Sequence, residues 1–525
     1  MKRKLLTCLA TAGLLLAACG QATPASTSAA PKQGQTLTVA IGIDPDTLDP
    51  MRQTTTTVQN IVQMVVQTLV QVNQQGKIEP LLATKWEESS DGLTWTFTLR
   101  QGVKFSDGEP FDAQAVQANM NRVLDPSNTC PLCGIMPKAV KSVEPVDASH
   151  VRFTLNQPLA SDLFLGLLSE VTFGFLAPRT IEKGTPGYQD QEQPVGTGPY
   201  LYSERVKGDH VTLTRNEQYW GPKPAYREQV FKVVPEAAGR EALVLSGQAQ
   251  VILSPPAADI PSLKSNPAVK VLLAPDDRTI FIALNTTDKQ QPLLQKPEVR
   301  QALNYAVNKN AIIKSTLFGA ADPMTAPMAP SLFGYCQQPA YQYDPSKAKQ
   351  MLQQAGAAGM TLKLISPTGR YTQDFQAAQD IANDLRNVGI KVDGPHTMDW
   401  PTYLATINVP PDQASVDAHL LGWAPGYLDA SQQMTIFDGS SIPKKGLNTS
   451  YYNNPEVNAL LQKAATETNR QARAQDYCQA EKIVWNDAPW IFLWVQRFPI
   501  VYSAKVKGVS YVPNESFDTT YAQPA

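Results

Sequence analysis

The sequence predicts an α/β fold built from more than one unit, and three observations carry that expectation. The chain has 525 residues, and at ~150 residues per domain this is several times what a single core organises. Its first half is rich in short alternating segments that read as strands, and beyond residue 290 helical periods alternate with strands, the pattern of an α/β lobe. Apolar residues make up 42% of the chain and charged residues 18%, enough to fill large cores. The net charge of −2 offers no excess of cations to neutralise phosphates, so nucleic-acid binding is excluded. The 42 prolines exceed the usual ~5% and favour irregular loops and short strands over helical solenoids.

At the amino terminus Lys2, Arg3 and Lys4 precede an apolar run too short to span a bilayer, so residues 1–18 read as an export leader. The sequence Leu16-Ala-Ala-Cys19-Gly20 resembles the cleavage and acylation site of bacterial lipoproteins, which marks Cys19 for lipidation; the alternative is an ordinary cut near Ala18. Residues 19–35 are rich in Ala, Ser, Thr, Gln and Pro without an apolar period, as a flexible tether is. Acyl chains at ~0.8 kcal/mol per buried methylene would hold the protein at the extracytoplasmic face of the cell membrane.

With Cys8 and Cys19 assigned to leader and lipid, Cys130, Cys133, Cys336 and Cys478 remain, an even number in an oxidising compartment. Three connectivities are possible. Cys130 with Cys133 and Cys336 with Cys478 is favoured, because Cys130-Pro-Leu-Cys133 occupies a loop that already brings its ends together. No second Cys pair or His pair completes a zinc site there, and no metal or cofactor is expected.

In chain order, residues 37–43 read as a strand that exits through Asp44-Pro-Asp-Thr-Leu-Asp-Pro50, followed by a helix. Leu93, Trp95, Phe97 and Leu99 alternate with threonines, a half-buried strand, and Val151, Phe153 and Leu155 repeat the pattern. Residues 211–215, 229–234, 269–273 and 279–284 add short strands, and Asp112 can cap a helix carrying Val116, Met120 and Val123. Pro297 opens a helix with Val299, Ala302, Leu303 and Ala306 at three-four spacing, and Asp344-Pro345 starts another. Ala378, Ile381, Ala382 and Leu385 make a third helix, stopped near Gly389 and followed by a strand at 390–392. Residues 490–495 and 499–502 are two final strands that return to the first lobe.

Catalytic signatures are missing. There is no Gly-x-Ser-x-Gly elbow and no phosphate loop. His150, His210, His396 and His419 are scattered without a His-x-x-x-His pair, so no catalytic residue is assigned.

Several blocks, in order, carry a family resemblance: Glu79-Pro-Leu-Leu-Ala-Thr-Lys-Trp86, Asp91-Gly-Leu-Thr-Trp95, Val103-Lys-Phe-Ser-Asp-Gly-Glu-Pro-Phe111, Val195-Gly-Thr-Gly-Pro-Tyr200, Asn216-Glu-Gln-Tyr-Trp220 and Val299-Arg-Gln-Ala-Leu-Asn304. Together they resemble the family 5 extracytoplasmic solute-binding proteins of ABC importers, the peptide and nickel group, over roughly residues 36–521. The resemblance implies a two-lobe periplasmic-binding-protein-like fold with an extra domain in the first lobe. On it, domain I spans 36–73, 195–290 and 490–525, domain II 74–194 and domain III 291–489, with chain crossings near 285–292 and 487–492.

It also implies that a peptide or other small polar ligand is enclosed between lobes by a monomer and passed to permease subunits. Arg370, after the strand 361–365, resembles the arginine with which dipeptide-binding relatives hold a ligand carboxylate. Tyr371, Trp400, Trp423 and Tyr427 are candidate cleft walls, and Asp429 a candidate carboxylate. Peptide binders of the family place an aspartate three residues after the cleft tryptophan, against the peptide's ammonium; here that residue is Gly426. Either Asp429 takes over or the ligand has no free amino terminus. The rival classes are a secreted hydrolase lacking familiar motifs and a chaperone-like or signalling clamp without transport.

Overall fold

Trp95, Phe97 and Leu99 are buried along the strand Thr94–Leu99 while its threonines stay half exposed, because successive strand residues face opposite sides. The strand belongs to a four-stranded antiparallel sheet in the order Ala83–Glu88, Thr94–Leu99, His150–Leu155, Val140–Asp147. Phe97 meets Phe153 edge-on at 5.4 Å between centroids, and both share one core with Phe164 of the helix Ser161–Ser169. The helix Ala113–Leu124 begins at Asp112, whose carboxylate accepts hydrogen bonds from the amides of Gln114 and Ala115, satisfying donors that have no partner within the helix.

The computed structural model describes residues 36–53, 55–73, 76–128, 130–133, 135–398 and 400–525. The leader, Cys19 and the tether fall outside the described residues. No helix among the described residues is long and apolar enough to cross a membrane.

A second, large mixed sheet runs through the rest of the molecule. Its order is Lys391–Thr397, Thr361–Ser366, Ala418–Trp423, Val269–Leu284, Trp490–Ser503, Val251–Leu253, Thr36–Ile41, Glu228–Val233, His210–Arg215 and Tyr200–Val206. One end is cored by Leu37, Val39, Tyr200 and Phe231, and with the four-stranded sheet it forms the first lobe. The other is cored by Leu303, Leu364, Ile381, Leu385 and Ile491 and forms the second lobe. Here the helix Asp374–Asn387 buries Ala377, Ala378, Ile381, Ala382 and Leu385 against the sheet, the face its three-four spacing predicts.

The two lobes share two strands, and the crossing differs from the sequence expectation. Residues 269–273 and 279–284 are one strand, Val269–Leu284, and residues 490–495 and 499–502 are another, Trp490–Ser503. They pair antiparallel throughout, with register shifts between Pro275 and Thr279 and between Ile280 and Phe281. Val269–Pro275 face Ser503–Arg497 beside the first lobe, whereas Thr279–Leu284 also pair with Ala418–Trp423 of the second. Residues 279–284 and 490–495 thus pack with the second lobe, and the chain crosses at the bulge around 275–279. Two expected short strands with a polar gap become one strand because a bulge absorbs the polar residues without ending the ladder.

Disulfides join Cys130 to Cys133 in a first-lobe loop and Cys336 to Cys478 in the second lobe, where the latter ties a loop to the helix Arg470–Asp487.

Candidate functional site

The bulge that joins the lobes carries Asp276, Asp277 and Arg278. Arg278 pairs with Glu515 at 2.5 Å, and Asp276 accepts hydrogen bonds from the Tyr511 hydroxyl and the Asp277 amide, both at 2.9 Å. Asp277 is fully buried, and among the described residues neither of its carboxylate oxygens has a hydrogen-bond partner. Three carboxylates therefore share one guanidinium. Burial, then the Glu515 charge, pushes Asp276 up to about 7, and burial with the Asp276 charge holds Asp277 well above the carboxylate range. Carboxyls whose affinity for protons rises on folding favour the folded state most at low pH, and that contribution is lost as pH rises from the ordinary value of 3.8 through about 7. We expect Asp277→Asn, whose amide can donate to the unpartnered Asp276 oxygen, to stabilise the protein by ~1–3 kcal/mol at pH 8 and by much less at pH 4. Urea denaturation at both values checks this, and an equal effect at both would contradict it.

From the second lobe, the strand Thr361–Ser366 ends in the loop Pro367-Thr-Gly-Arg-Tyr371. Asp374, buried at the start of its helix, accepts the amides of Gly369 at 3.0 Å, Arg370 at 2.8 Å and Tyr371 at 3.0 Å, which fixes the loop. Gly369 takes φ +76°, a conformation that side chains disfavour. Arg370 is exposed, and its guanidinium carbon lies 5.1 Å from the Tyr371 ring and 5.3 Å from the Trp400 ring. Among the described residues no carboxylate pairs with it. Tyr371 is buried, donates to the Gly422 carbonyl at 3.3 Å and lies 5.8 Å from Arg278. Trp400 meets Tyr371 edge-on and stacks on Tyr403 at 5.5 Å. Trp423, half buried at the end of the strand Ala418–Trp423, accepts the Thr279 hydroxyl on its carbonyl. Arg370, Tyr371 and Trp400 thus come together beside the lobe crossing, whereas the Trp423 ring packs instead against the core that holds Phe281, Trp490 and Phe492.

Tyr427 and Asp429 do not join them. Asp429 is buried and engages Arg473 through two bonds, at 2.7 and 2.5 Å, while also capping the short helix Ala430–Met434 through the Ser431 amide. Its charge is already matched, so it cannot take the place of the aspartate that Gly426 lacks. Tyr427 is buried in the core of the four-stranded sheet, in one cluster with Leu163 and Phe164 of the opposite lobe. It is a contact between lobes, with its hydroxyl 3.3 Å from that of Ser431. Close by, Arg470 of the second lobe pairs with Asp162 of the first. Gly426 is exposed, and its amide donates to the Gln432 side chain at 2.6 Å.

Sequence reasoning missed Arg278, Asp374 and Arg473. Asp374 had a local signal, an acid beside a helix start. The other two act through partners 237 and 44 residues away.

Residues 77–445 match the profile of the bacterial extracellular solute-binding proteins, family 5 middle region. The chain belongs to that family. As a family 5 protein it is an extracytoplasmic solute-binding component of an ABC importer, a binding protein and not an enzyme, with the two-lobe α/β fold of its kind. It is 30% identical over 484 residues to the glutathione-binding protein GsiB of Salmonella typhi, covering 91% of this chain and 92% of that one. HbpA2 from Haemophilus parasuis is 28% identical with a TM-score of 0.82, covering 93% of this chain and all of that one. DppA from Helicobacter pylori, solved with the peptide STSA, is 27% identical with a TM-score of 0.76, over 93% of this chain and 98% of that one. NikA from Brucella suis, solved with Fe(III)-EDTA, is 25% identical with a TM-score of 0.83, over 93% of this chain and all of that one.

Proposed function

We propose that this family 5 protein is a lipid-anchored receptor that captures a short peptide, glutathione among the candidates, and delivers it intact to a membrane permease. The observation that carries this reading is Arg370: an exposed guanidinium beside Tyr371 and Trp400, without a carboxylate partner among the described residues. A guanidinium fork set between aromatic rings suits a ligand carboxylate, held by two parallel hydrogen bonds while the rings cover the ligand's apolar surface. The similarity to a glutathione-binding protein and to a peptide-bound DppA supports a peptide over a bare metal ion. Among the described residues, no group of three or more His, Cys, Asp or Glu side chains is arranged to hold a metal ion. Contacts from both lobes exist only when the lobes are closed, so binding shifts the population toward closure.

Titration calorimetry with glutathione, Met-Leu and Ser-Thr-Ser-Ala tests the reading. One-to-one binding of at least one of them is expected, and binding of none would overturn it.

Anchoring rests on Cys19 at the end of the leader. Cys19→Ala is expected to move the protein from the membrane fraction into soluble extracytoplasmic material. Unchanged membrane association would contradict the anchor.

A further inference from the structure

We propose that the Cys130–Cys133 bridge is redox-active, a disulfide that exchanges with small thiols and is entered at Cys130. This does not depend on the ligand read above. The bridge lies in the first-lobe segment between the helix Ala113–Leu124 and the strand Val140–Asp147. The two disulfides among the described residues differ in what they hold together. Cys336 and Cys478 are 142 positions apart, whereas Cys130 and Cys133 are 3 apart. A cross-link stabilises mainly by restricting the unfolded chain, and its effect grows with the loop it closes, so the short bridge contributes least.

Nor does the loop need the bridge to keep its place. The Cys133 amide donates to the Cys130 carbonyl at 3.4 Å, and the Met136 amide donates to the Cys133 carbonyl at 3.0 Å. Cys133 and Met136 are both buried in the core of the four-stranded sheet. Opening the S–S bond leaves these contacts standing, so the bridge can be reduced without unfolding its surroundings.

The two cysteines also differ in access. Cys133 is 2% exposed, whereas Cys130 sits at the margin of the same core and is partly exposed. Nearby in the chain Pro131, Leu132 and Ile135 are exposed, which leaves apolar surface for the carbon skeleton of a thiol compound. Exchange depends on which sulfur a thiolate can reach, and here that is Cys130 Sγ. A thiolate RS⁻ forms a new S–S bond to Cys130, the bond to Cys133 breaks, and its electron pair leaves on Cys133 Sγ, which takes up a proton. A second thiolate attacks the R sulfur, releasing RSSR and leaving Cys130 as a thiol once it is protonated. Two thiols are thus oxidised to one disulfide while the bridge is reduced to two thiols, and a disulfide compound runs the sequence backwards. Cys133, two residues from the mixed disulfide's neighbour Pro131, can also attack Cys130 and expel RS⁻, so the mixed disulfide does not accumulate in wild type.

The test incubates the full chain in glutathione buffers of rising reduced-to-oxidised ratio, then quenches with acid, alkylates free thiols and reads each cysteine by peptide mapping. Cys130 and Cys133 are expected to open together at a ratio at least ~10-fold lower than Cys336 and Cys478, with near-ultraviolet circular dichroism still native. Mercaptoethanol in place of glutathione should give the same order, since no bound peptide is required. In oxidised glutathione, Cys133→Ala should acquire a glutathionyl group on Cys130, whereas Cys133 of the Cys130→Ala variant should stay a free thiol. Both bridges opening at one ratio, opening of Cys130–Cys133 only with loss of the native spectrum, or opening by glutathione alone overturns the inference, and these readings on wild type need no variant to fold. Equal glutathionylation of the two variants overturns entry at Cys130. None of these results bears on peptide capture in the cleft.

Discussion

Asp429→Ala is expected to cost ~3–5 kcal/mol of stability, because it strips a buried guanidinium of its counter-ion. The Arg473 side chain is 1% exposed. Its other contacts, the Ala464 carbonyl at 3.1 Å and the Tyr477 hydroxyl at 3.2 Å, are neutral. Arg473→Ala leaves Asp429 equally stranded and should cost a similar amount. Replacing both together should cost clearly less than the sum of the single changes, since no unpaired charge then remains. Urea denaturation of the three variants checks this, and single-variant losses below ~1 kcal/mol would contradict it. The pair anchors the base of the loop that carries Tyr427 into the opposite lobe, so the same variants should also weaken ligand binding by loosening the closed state.

Arg370→Ala is expected to leave stability within ~0.5 kcal/mol, since the side chain is exposed. Binding of a carboxylate-bearing peptide should fall by ~2–5 kcal/mol, much of it from leaving the ligand's charge desolvated and unpaired. Arg370→Lys should fall between, because an ammonium keeps the charge but loses the planar fork. Calorimetry on the three proteins separates these outcomes. An affinity for Arg370→Ala within ~0.5 kcal/mol of wild type would remove Arg370 from the site.

Local periods were legible in the sequence wherever one stretch of chain determines its own structure. The alternation at 94–99 and the three-four spacing at 377–385 need only a core on one side, and both elements formed there. The loop at Arg370 was legible for the same reason, a strand end just before a helix. The lobe crossing was not: Pro275-Asp-Asp-Arg278 reads as a break between strands, and only pairing with residues more than 200 positions later shows that the ladder continues. Asp429 failed in a related way. Its place before a short helix is visible locally, but its main partner, Arg473, is not, and a carboxylate that looks free in sequence is matched in space. Tyr427 looked like a cleft wall because aromatic side chains suit one equally well as they suit a core, and its position in the opposite lobe's core depends on how the lobes meet.

The claim that the cleft binds a carboxylate-bearing peptide without transforming it is tested most directly by native mass spectrometry of the full chain, wild type and Arg370→Ala, incubated with glutathione, Met-Leu and Ser-Thr-Ser-Ala. The account predicts a one-to-one adduct with wild type at the mass of the intact peptide, released unchanged on denaturation and lost in Arg370→Ala. Cleaved peptide, or an adduct that persists undiminished in Arg370→Ala, would contradict it.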